Sequence, residues 1–177
     1  MCMELGGVGE TPSLAAAAGT ALVRDAIPEL YRYAVRLTGG DRALAEDLVQ
    51  EACLALVREV RAVPTARLEI GWLIVVLRRR YLDHLRRMRR ERGRLERGAA
   101  RSAVDLSEPD WGSVDDAVAL DALGKLSADQ RTALVLRYVD DLPVREVAAM
   151  LGRSVAATES LLARGRNQLA LLLGGRH

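Results

Sequence analysis

Apolar residues recur every three to four positions through most of this chain, which is the spacing of amphipathic helices. The clearest case is the stretch 143–166. Its first part, Val144–Leu151, has an apolar face made by Val147, Ala148 and Leu151. Gly152 follows, where a chain leaving a helix often takes a left-handed backbone, and Ser154 is a good N-cap for a second helix. The pattern therefore predicts two short helices joined by a tight turn.

The second of these helices has a distinct inward and outward side. Its inward residues recur at steps of four, three and four: Thr158, Leu162, Gly165 and Leu169. The residues expected to face outward are Glu159, Ser160, Ala163, Arg164 and Asn167. Two helices joined in this way form a helix-turn-helix, which places its second helix in a DNA major groove. We therefore expect the C-terminal part to bind DNA.

Three longer helices are predicted in the N-terminal part. The first runs from Leu14 to Leu37 and is ended by Thr38, Gly39 and Gly40, and Pro28 is a position where it could break. Asp41 can cap the second, whose inward residues are Leu44, Leu48, Ala52 and Leu56. A loop or short turn over 62–70 leads to the third, which is expected from Gly71 to about Arg97. Its apolar members are Trp72, Leu73, Val76, Leu77, Leu82 and Leu85.

The helices fall into two groups separated by a polar stretch. Residues 1–13 are rich in glycine and are expected to be disordered. A linker is expected over 99–113, and a second helical unit begins near Val114, in which Ser127 caps a helix over Ala128–Val139. The prediction is an all-α chain with helical domains at 14–98 and 114–177, joined by a flexible acidic linker. One fused body, with its arginine-rich helix packed on the chain's own residues, would contradict this separation.

Charge is strongly segregated along the 177 residues. The net charge is only +2, yet Arg78–Arg101 holds eleven arginines, whereas Val104–Leu120 holds five acids and no base. A solvated helix face is one explanation of the arginine run. Seven arginines in Arg78–Arg90 repel one another, however, so a nucleic-acid partner is favoured.

Several other classes of function have little support in the sequence. Two cysteines are too few for a disulfide framework or a zinc cluster, and Cys53 is expected to be a core thiol. His84 has no metal-ligand constellation around it, and neither a nucleophile–base pair nor a phosphate-binding loop is visible. We therefore expect no enzyme activity, cofactor or metal. The absence of a membrane-spanning run or a basic signal peptide points to the cytoplasm.

Three segments resemble one protein family. They are AEDLVQEACLALV, then GWLIVVLRRRYLDHLRRMRR, then LSADQRTALVLRYVDDLPVREVAAMLGRSVAATESLLARGRNQL. In this order they are similar to regions 2 and 4 of bacterial sigma factors of the extracytoplasmic-function (ECF) group, and the resemblance spans roughly Leu30–Leu172. A helix-turn-helix alone is weakly specific, but both regions in this order are strongly specific. The resemblance implies a subunit that directs core RNA polymerase to promoters and helps to open the −10 region.

The resemblance also implies roles for particular residues. The helix that docks on the clamp helices of the polymerase β′ subunit would carry Asp47, Gln50 and Glu51. The −10 element would be handled by Trp72, Arg79, Arg80, Tyr81, Arg86 and Arg87, and a flipped-out base would be captured by the 62–70 loop. The −35 element would be recognised by Arg153, Ser154, Glu159, Ser160, Ala163 and Arg164. The stretch 92–120 would thread the polymerase. Implied partners are the β′ and β subunits, promoter DNA and an anti-sigma factor.

Some positions depart from the family pattern or allow two interpretations. The family usually has Asn at Arg79, Gly-Thr-Val at 156–158, and often a base at Glu159 and Leu161. Trp72 fits a core role and a DNA-facing role equally well. On spacing alone the polar residues of the second helix are ordinary surface residues, and Leu136 and Tyr138 are core residues. The alternative function is a stand-alone helix-turn-helix regulator, which would dimerise and bind a palindrome without polymerase.

Overall fold

The protein is all-helical over the part that the structure describes. It is a computed structural model that describes residues 14–63, 69–93 and 116–174, and these contain no strand. The helices are α1 Leu14–Thr38, α2 Arg42–Ala62, α3 Ile70–Gly93, α4 Asp116–Gly124, α5 Ala128–Leu134, α6 Val144–Leu151 and α7 Val155–Gly174. The predicted all-α class is confirmed. The expectations for the 1–13 tail, the middle of the 62–70 loop and the 99–113 linker fall outside the described residues.

Helices α1, α2 and α3 form the N-terminal module. Its core consists of fully buried leucines from all three helices: Leu30, Leu37, Leu56, Leu73 and Leu77. The Asp41 carboxylate caps α2 as predicted, because its Oδ1 accepts the Leu44 N–H at 3.1 Å. Helix α1 continues through Pro28, so the break that this proline makes possible does not occur. Pro28 and Arg24, four residues earlier, are both exposed, so water can reach the carbonyl that the proline leaves without a donor.

Helices α4 to α7 form the C-terminal module, and local sequence signals determine most of its turns. Ser127 starts α5 with a capping box, in which its Oγ accepts the Gln130 N–H at 3.3 Å and Gln130 Oε1 accepts the Ser127 N–H at 3.1 Å. Gly152 ends α6 in the left-handed conformation, at φ +64°. The Ser154 Oγ accepts the Ala157 N–H at 3.2 Å and caps α7. The predicted helix-turn-helix is therefore confirmed.

Helix α5 ends in an irregular segment that the sequence pattern does not predict. Val135–Val139 is π-helical, and the Asp140 N–H donates to the Val135 carbonyl, five residues earlier, at 3.1 Å. A π-helical turn contains about one residue more than an α-helical turn. Residues after it are therefore rotated by about 100° around the helix axis, compared with a continuous α-helix of the same sequence. This rotation determines where Asp140 lies.

The two modules pack directly against each other. Val135 of the C-terminal module belongs to the core of the N-terminal module. In return, Leu82 and Leu85 of α3 are buried in the core of the C-terminal module. The two-part helical architecture is confirmed. The two modules are in contact, however, so their expected separation is wrong in this structure. The sequence shows that Leu82 and Leu85 need apolar cover, and it does not show which element provides that cover.

Candidate nucleic-acid interface

The predicted polymerase-binding face of α2 lies open to solvent. Asp47, Gln50 and Glu51 are all exposed, because the core of α2 is made by residues on its other side. The Glu51 carboxylate lies 3.5 Å from Arg80 Nε, and both side chains are about half exposed. Such a pair contributes little to stability in water, so the carboxylate can exchange partners easily.

Helix α3 divides into an exposed basic face and a buried face. Four of the predicted −10 residues have exposed side chains: Arg79, Arg80, Arg86 and Arg87. Trp72 is half-buried against the N-terminal core, which leaves both of its interpretations open. Tyr81 is only 2 % exposed, so its predicted place on a DNA-facing surface is wrong in this structure. Its hydroxyl lies 3.4 Å from the buried Thr132 hydroxyl of α5, so it is a contact between the modules.

Two arginines of α3 bind the end of α6. Arg86 Nη2 donates to the Met150 carbonyl at 3.0 Å, and Arg89 Nη1 donates to the Leu151 carbonyl at 2.8 Å. Carbonyls in the last turn of a helix have no helical partner and lie at the negative end of the helix dipole, so they attract guanidinium groups. The helix-turn-helix therefore occupies part of the basic face of α3.

The Asp129 carboxylate joins the two predicted DNA-binding regions. Its Oδ1 accepts from Arg89 Nε at 2.8 Å and from Arg89 Nη2 at 2.6 Å. Its Oδ2 accepts from Arg153 Nη2, in the turn that precedes α7. One acidic side chain thus neutralises a base of α3 and a base of the predicted −35 surface. Asp129 has no recognisable role in the sequence pattern, because its partners Arg89 and Arg153 are distant along the chain.

The outer face of α7 and the preceding turn present most of the predicted −35 residues. Arg153, Ser154, Glu159, Ser160 and Arg164 are exposed, so their side chains are accessible to a partner.

Ala163 is 1 % exposed, so its predicted outward position is wrong. The buried side of α7 is wider than the four-residue stripe that the spacing indicated, and it also includes Leu161 and Arg166. The Leu161 departure from the family pattern therefore lies in the core.

Asp140 is a second carboxylate between the modules, and its side chain is more deeply buried than that of Asp129. Tyr33 of α1 donates its phenol proton to Asp140 Oδ2 at 2.8 Å, and Arg78 Nη1 of α3 donates to the same oxygen at 3.0 Å. The Asp140 side chain is 9 % exposed and that of Arg78 is 14 % exposed. Burial, and then the negative charge of Asp140, raise the pKa of the Tyr33 phenol far above its ordinary value, so Tyr33 remains a donor. Nearby Tyr138 is 41 % exposed, so its predicted core position is wrong, whereas Leu136 is fully buried as predicted.

Arg131 of α5 makes a third polar contact between the modules. Its buried Nε donates to the Leu37 carbonyl near the end of α1 at 2.8 Å. Its Nη1 lies within 3.4 Å of the Leu123 and Leu126 carbonyls. The guanidinium passes so close to Gly39 that a Cβ at that position would lie 2.2 Å from Nη1.

Other kinds of site have few candidate residues in the described ranges. Among residues 14–63, 69–93 and 116–174, no group of three or more His, Cys, Asp or Glu could hold a metal ion. Cys53 is a half-buried free thiol, and burial raises its pKa. No helix in the described part combines the length and apolarity that a membrane crossing requires.

Comparison with known proteins identifies both halves of the chain. Residues 22–91 match the family model for sigma-70 region 2, and residues 117–169 match the model for sigma-70, region 4. The chain is 34 % identical over 166 residues to the ECF RNA polymerase sigma factor SigL of Mycobacterium tuberculosis, covering 90 % of this chain and 93 % of that protein. It is 31 % identical over 149 residues to the ECF sigma factor EcfG of Rhodopseudomonas palustris, covering 84 % and 81 %.

A solved structure agrees with these matches. The sigma factor RpoE of Bartonella quintana, crystallised with the anti-sigma factor NepR, superimposes with a TM-score of 0.54 at 26 % identity. The superposition covers 89 % of this chain and 98 % of that one. The matched regions occur in the order that the sequence predicted, which favours a promoter-directing subunit over a stand-alone regulator. The chain belongs to the ECF group of the sigma-70 family, and it is a sigma factor that directs RNA polymerase to promoters.

Proposed function

We propose that three separate surfaces of this sigma factor divide the work of promoter recognition. The α2 face binds the β′ clamp helices, the exposed arginines of α3 hold the −10 element as it opens, and the turn before α7 with its outer face recognises the −35 element. The observation that carries the proposal is exposure, because the polar residues of all three surfaces reach solvent on different helices. The polymerase carries out the chemistry, and this chain supplies recognition.

The polymerase contact is tested by replacing Asp47, Gln50 and Glu51 together with alanine. Because these side chains are exposed and outside the core, the variant should keep its helix content and bind core polymerase at least about tenfold more weakly. A matched control is the double variant Asp25→Ala/Glu29→Ala, which removes two exposed acids from α1. Gel filtration and fluorescence titration measure the binding. If the triple variant and the control bind polymerase equally well, the proposed role of this surface is refuted.

The −10 contact is expected to be electrostatic, with stacking added by Trp72. Each arginine that neutralises a phosphate releases counterions, so the salt dependence of holoenzyme binding should become less steep when such arginines are removed. We expect Arg86→Ala/Arg87→Ala to reduce open-complex formation and lower this salt slope. The control Arg58→Ala/Arg61→Ala removes two exposed arginines from α2. Strand opening is measured with a fluorescent base in the −10 element. If the salt dependence of binding is unchanged and the strands open normally, the proposal is contradicted.

The −35 contact is tested on the outer face of α7. Replacing Ser160 and Arg164 with alanine should change the preferred −35 sequence and leave polymerase association intact, because both side chains are exposed. Asn167→Ala provides the control, since Asn167 is exposed farther along the same helix. Selection from a randomised −35 library measures the preference. An identical selected sequence for the double variant and the wild type would exclude these residues.

We also propose an anti-sigma protein as the partner of the inactive state. A structural relative was crystallised with such a partner, and the exposed α2 face is a surface that a competitor of polymerase could cover. The test is affinity capture of the full chain from its own cells, followed by competition of each captured protein with core polymerase. The proposal fails if no captured protein competes.

A further inference from the structure

Arg166 of α7 is a buried base without an acid to pair with. It is only 7 % exposed, and the ion pairs among the described residues do not include it. Its Nη1 donates to the neutral Tyr138 hydroxyl at 3.0 Å. Its Nε is buried and has no hydrogen-bond partner in the described part of the chain. Since arginine is almost never fully buried unless it is paired, this guanidinium requires an acceptor that the described residues do not supply.

Arg131 shows how the other buried arginine of the described ranges satisfies its donors. Its Nε donates to the Leu37 carbonyl, and its Nη1 lies within 3.4 Å of the Leu123 and Leu126 carbonyls. Carbonyl oxygens around the guanidinium replace the water that burial removes, so no acid is needed there. Arg166 has one hydroxyl in place of three carbonyls. Burial alone is therefore not the difference between the two arginines, and the missing acceptor is specific to Arg166.

An apolar groove of about 260 Å³ begins beside this guanidinium. Helices α4, α5 and α7 line it with leucines, among them Leu123, Leu169 and Leu173, and Tyr138 lines it as well. Because Tyr138 accepts the Arg166 bond, the charge lies at the Tyr138 end of the groove. Leu169 and Leu173 follow Arg166 by three and seven positions, so all three share one face of α7. The groove thus extends about 10 Å along the helix, from a positive end to an apolar end.

The size of the groove determines which kind of molecule fits inside it. One α-helical turn with its side chains is about 10 Å wide and 5.4 Å long, so it occupies about 400 Å³, which exceeds the space available. A methylene group is about as large as a water molecule, whose share of liquid volume is about 30 Å³. The groove therefore has room for about eight or nine carbon atoms in a single alkyl chain.

We propose that this groove binds a medium-chain aliphatic carboxylate. The ligand carboxylate accepts from Arg166, since a guanidinium and a carboxylate form charge-assisted bonds of matching geometry. The Tyr138 hydroxyl accepts from Arg166 and can donate its own proton to the same carboxylate. The alkyl chain lies along Leu169 and Leu173. The inference is independent of the proposed promoter-binding roles, because the groove lies on the inner side of α7.

The proposal predicts how affinity depends on chain length. Butyrate, hexanoate, octanoate, nonanoate and dodecanoate are titrated into the full chain by isothermal calorimetry. Each added methylene should tighten binding about fourfold up to eight or nine carbons, and longer chains should gain little because they extend into water. Octanol, which lacks the charge, should bind at least about tenfold more weakly than octanoate. Absence of saturable binding by all five acids would overturn the proposal.

Arg166→Met tests the charged end of the groove. Methionine keeps much of the side-chain length and is compatible with burial, so the variant should retain its helix content and bind octanoate at least about tenfold more weakly. Arg145→Met is the matched control, because it removes an exposed arginine of α6 and changes the net charge equally. Equal octanoate affinity in the two variants would overturn the proposal, since the alkyl chain would then bind without Arg166.

A second variant covers the case in which Arg166→Met loses its helical circular-dichroism signal. Ala119→Leu adds three carbon atoms to the wall of the groove and leaves the guanidinium in place. It should weaken octanoate binding and move the best chain length towards shorter acids. Ala149→Leu is the control, because it adds the same group at an exposed position of α6. The same chain-length profile for Ala119→Leu, Ala149→Leu and the wild type would place the ligand elsewhere and overturn the proposal.

Discussion

At the scale of single residues, two features of the structure require glycine at position 39. Its φ is +69°, in the left-handed region that other residues adopt only at a cost. Its missing side chain also leaves space for Arg131, whose Nε donates to the Leu37 carbonyl. The sequence predicts the turn at 38–40 from the glycines, because backbone conformation is a local property. It does not predict the guanidinium that passes over the turn, because Arg131 lies far away along the chain.

Gly39→Ala should reduce the free energy of unfolding by about 2–4 kcal/mol, because backbone strain adds to displacement of the Arg131 guanidinium. Gly152→Ala is the control, since Gly152 has nearly the same φ, +64°, and no atom near its missing Cβ. It should cost only about 1–2 kcal/mol. Urea denaturation measures both values. Equal losses in the two variants would show that the contact with Arg131 is unimportant.

Ala163 gives a second prediction at this scale. Because Ala163 is buried, Ala163→Leu should overpack the interior and reduce the free energy of unfolding by about 1–3 kcal/mol. Asn167→Leu, one turn later on the exposed side, should change it by less than about 0.5 kcal/mol. Thermal and urea denaturation distinguish the two. A neutral Ala163→Leu variant with altered promoter preference would instead support the outward position that the sequence predicted.

At the scale of elements, helix starts were the most predictable feature. Asp41, Ser127 and Ser154 were all expected to be N-caps, and each accepts a backbone N–H from the first turn of its helix. A cap depends on residues within four positions, so the sequence contains the information needed. Persistence of α1 through Pro28 and the π-helical end of α5 were not predicted, since both depend on what surrounds the helix.

Ser127→Ala should remove one side of the capping box and lower the free energy of unfolding by about 1 kcal/mol. Ser127→Asp should retain most of the stability, because aspartate is an equally good N-cap. Chemical denaturation of the three proteins provides the measurement. If Ser127→Ala and Ser127→Asp are equally destabilised, the cap is not the cause.

At the scale of the whole molecule, sequence patterns predicted the two helical groups and their order but not the contact between them. The arginines of α3 indicate that an anionic partner is needed. The pattern cannot say whether that partner is DNA phosphate or the chain's own Asp129 and Asp140. The two tyrosines illustrate the same limit, since Tyr81 is buried between the modules and Tyr138 is 41 % exposed, opposite to expectation. Which surface covers an apolar or aromatic residue depends on contacts that are distant in sequence.

The hydrogen bond from Tyr33 to Asp140 gives a prediction about alkaline stability. The pKa of the Tyr33 phenol is raised in the folded state, so the unfolded chain loses this proton first as the pH rises through about 10. Folding stability from this group is therefore present below pH 10 and declines above it, by up to about 1.4 kcal/mol per pH unit. Tyr33→Phe should lack this part of the alkaline loss of stability, because it has no phenol proton at this position.

The measurement is urea denaturation of each variant between pH 9 and about pH 11.5. Tyr138→Phe is the control, because it leaves the Tyr33 hydroxyl and its bond to Asp140 in place. The wild type and the control should lose stability more steeply than Tyr33→Phe. Parallel pH profiles for all three proteins would mean that Tyr33 does not keep its proton in the folded state.

The π-helical segment after α5 determines where the acid that links the two modules lies. Asp140 follows that segment directly, and the wider turn sets the phase at which its carboxylate meets Tyr33 and Arg78. If the same residues formed regular α-helical turns, Asp140 would lie about 100° around the helix axis from both donors. A rewinding of these five residues alone would therefore break this link between the modules, and every promoter-facing side chain would remain unchanged.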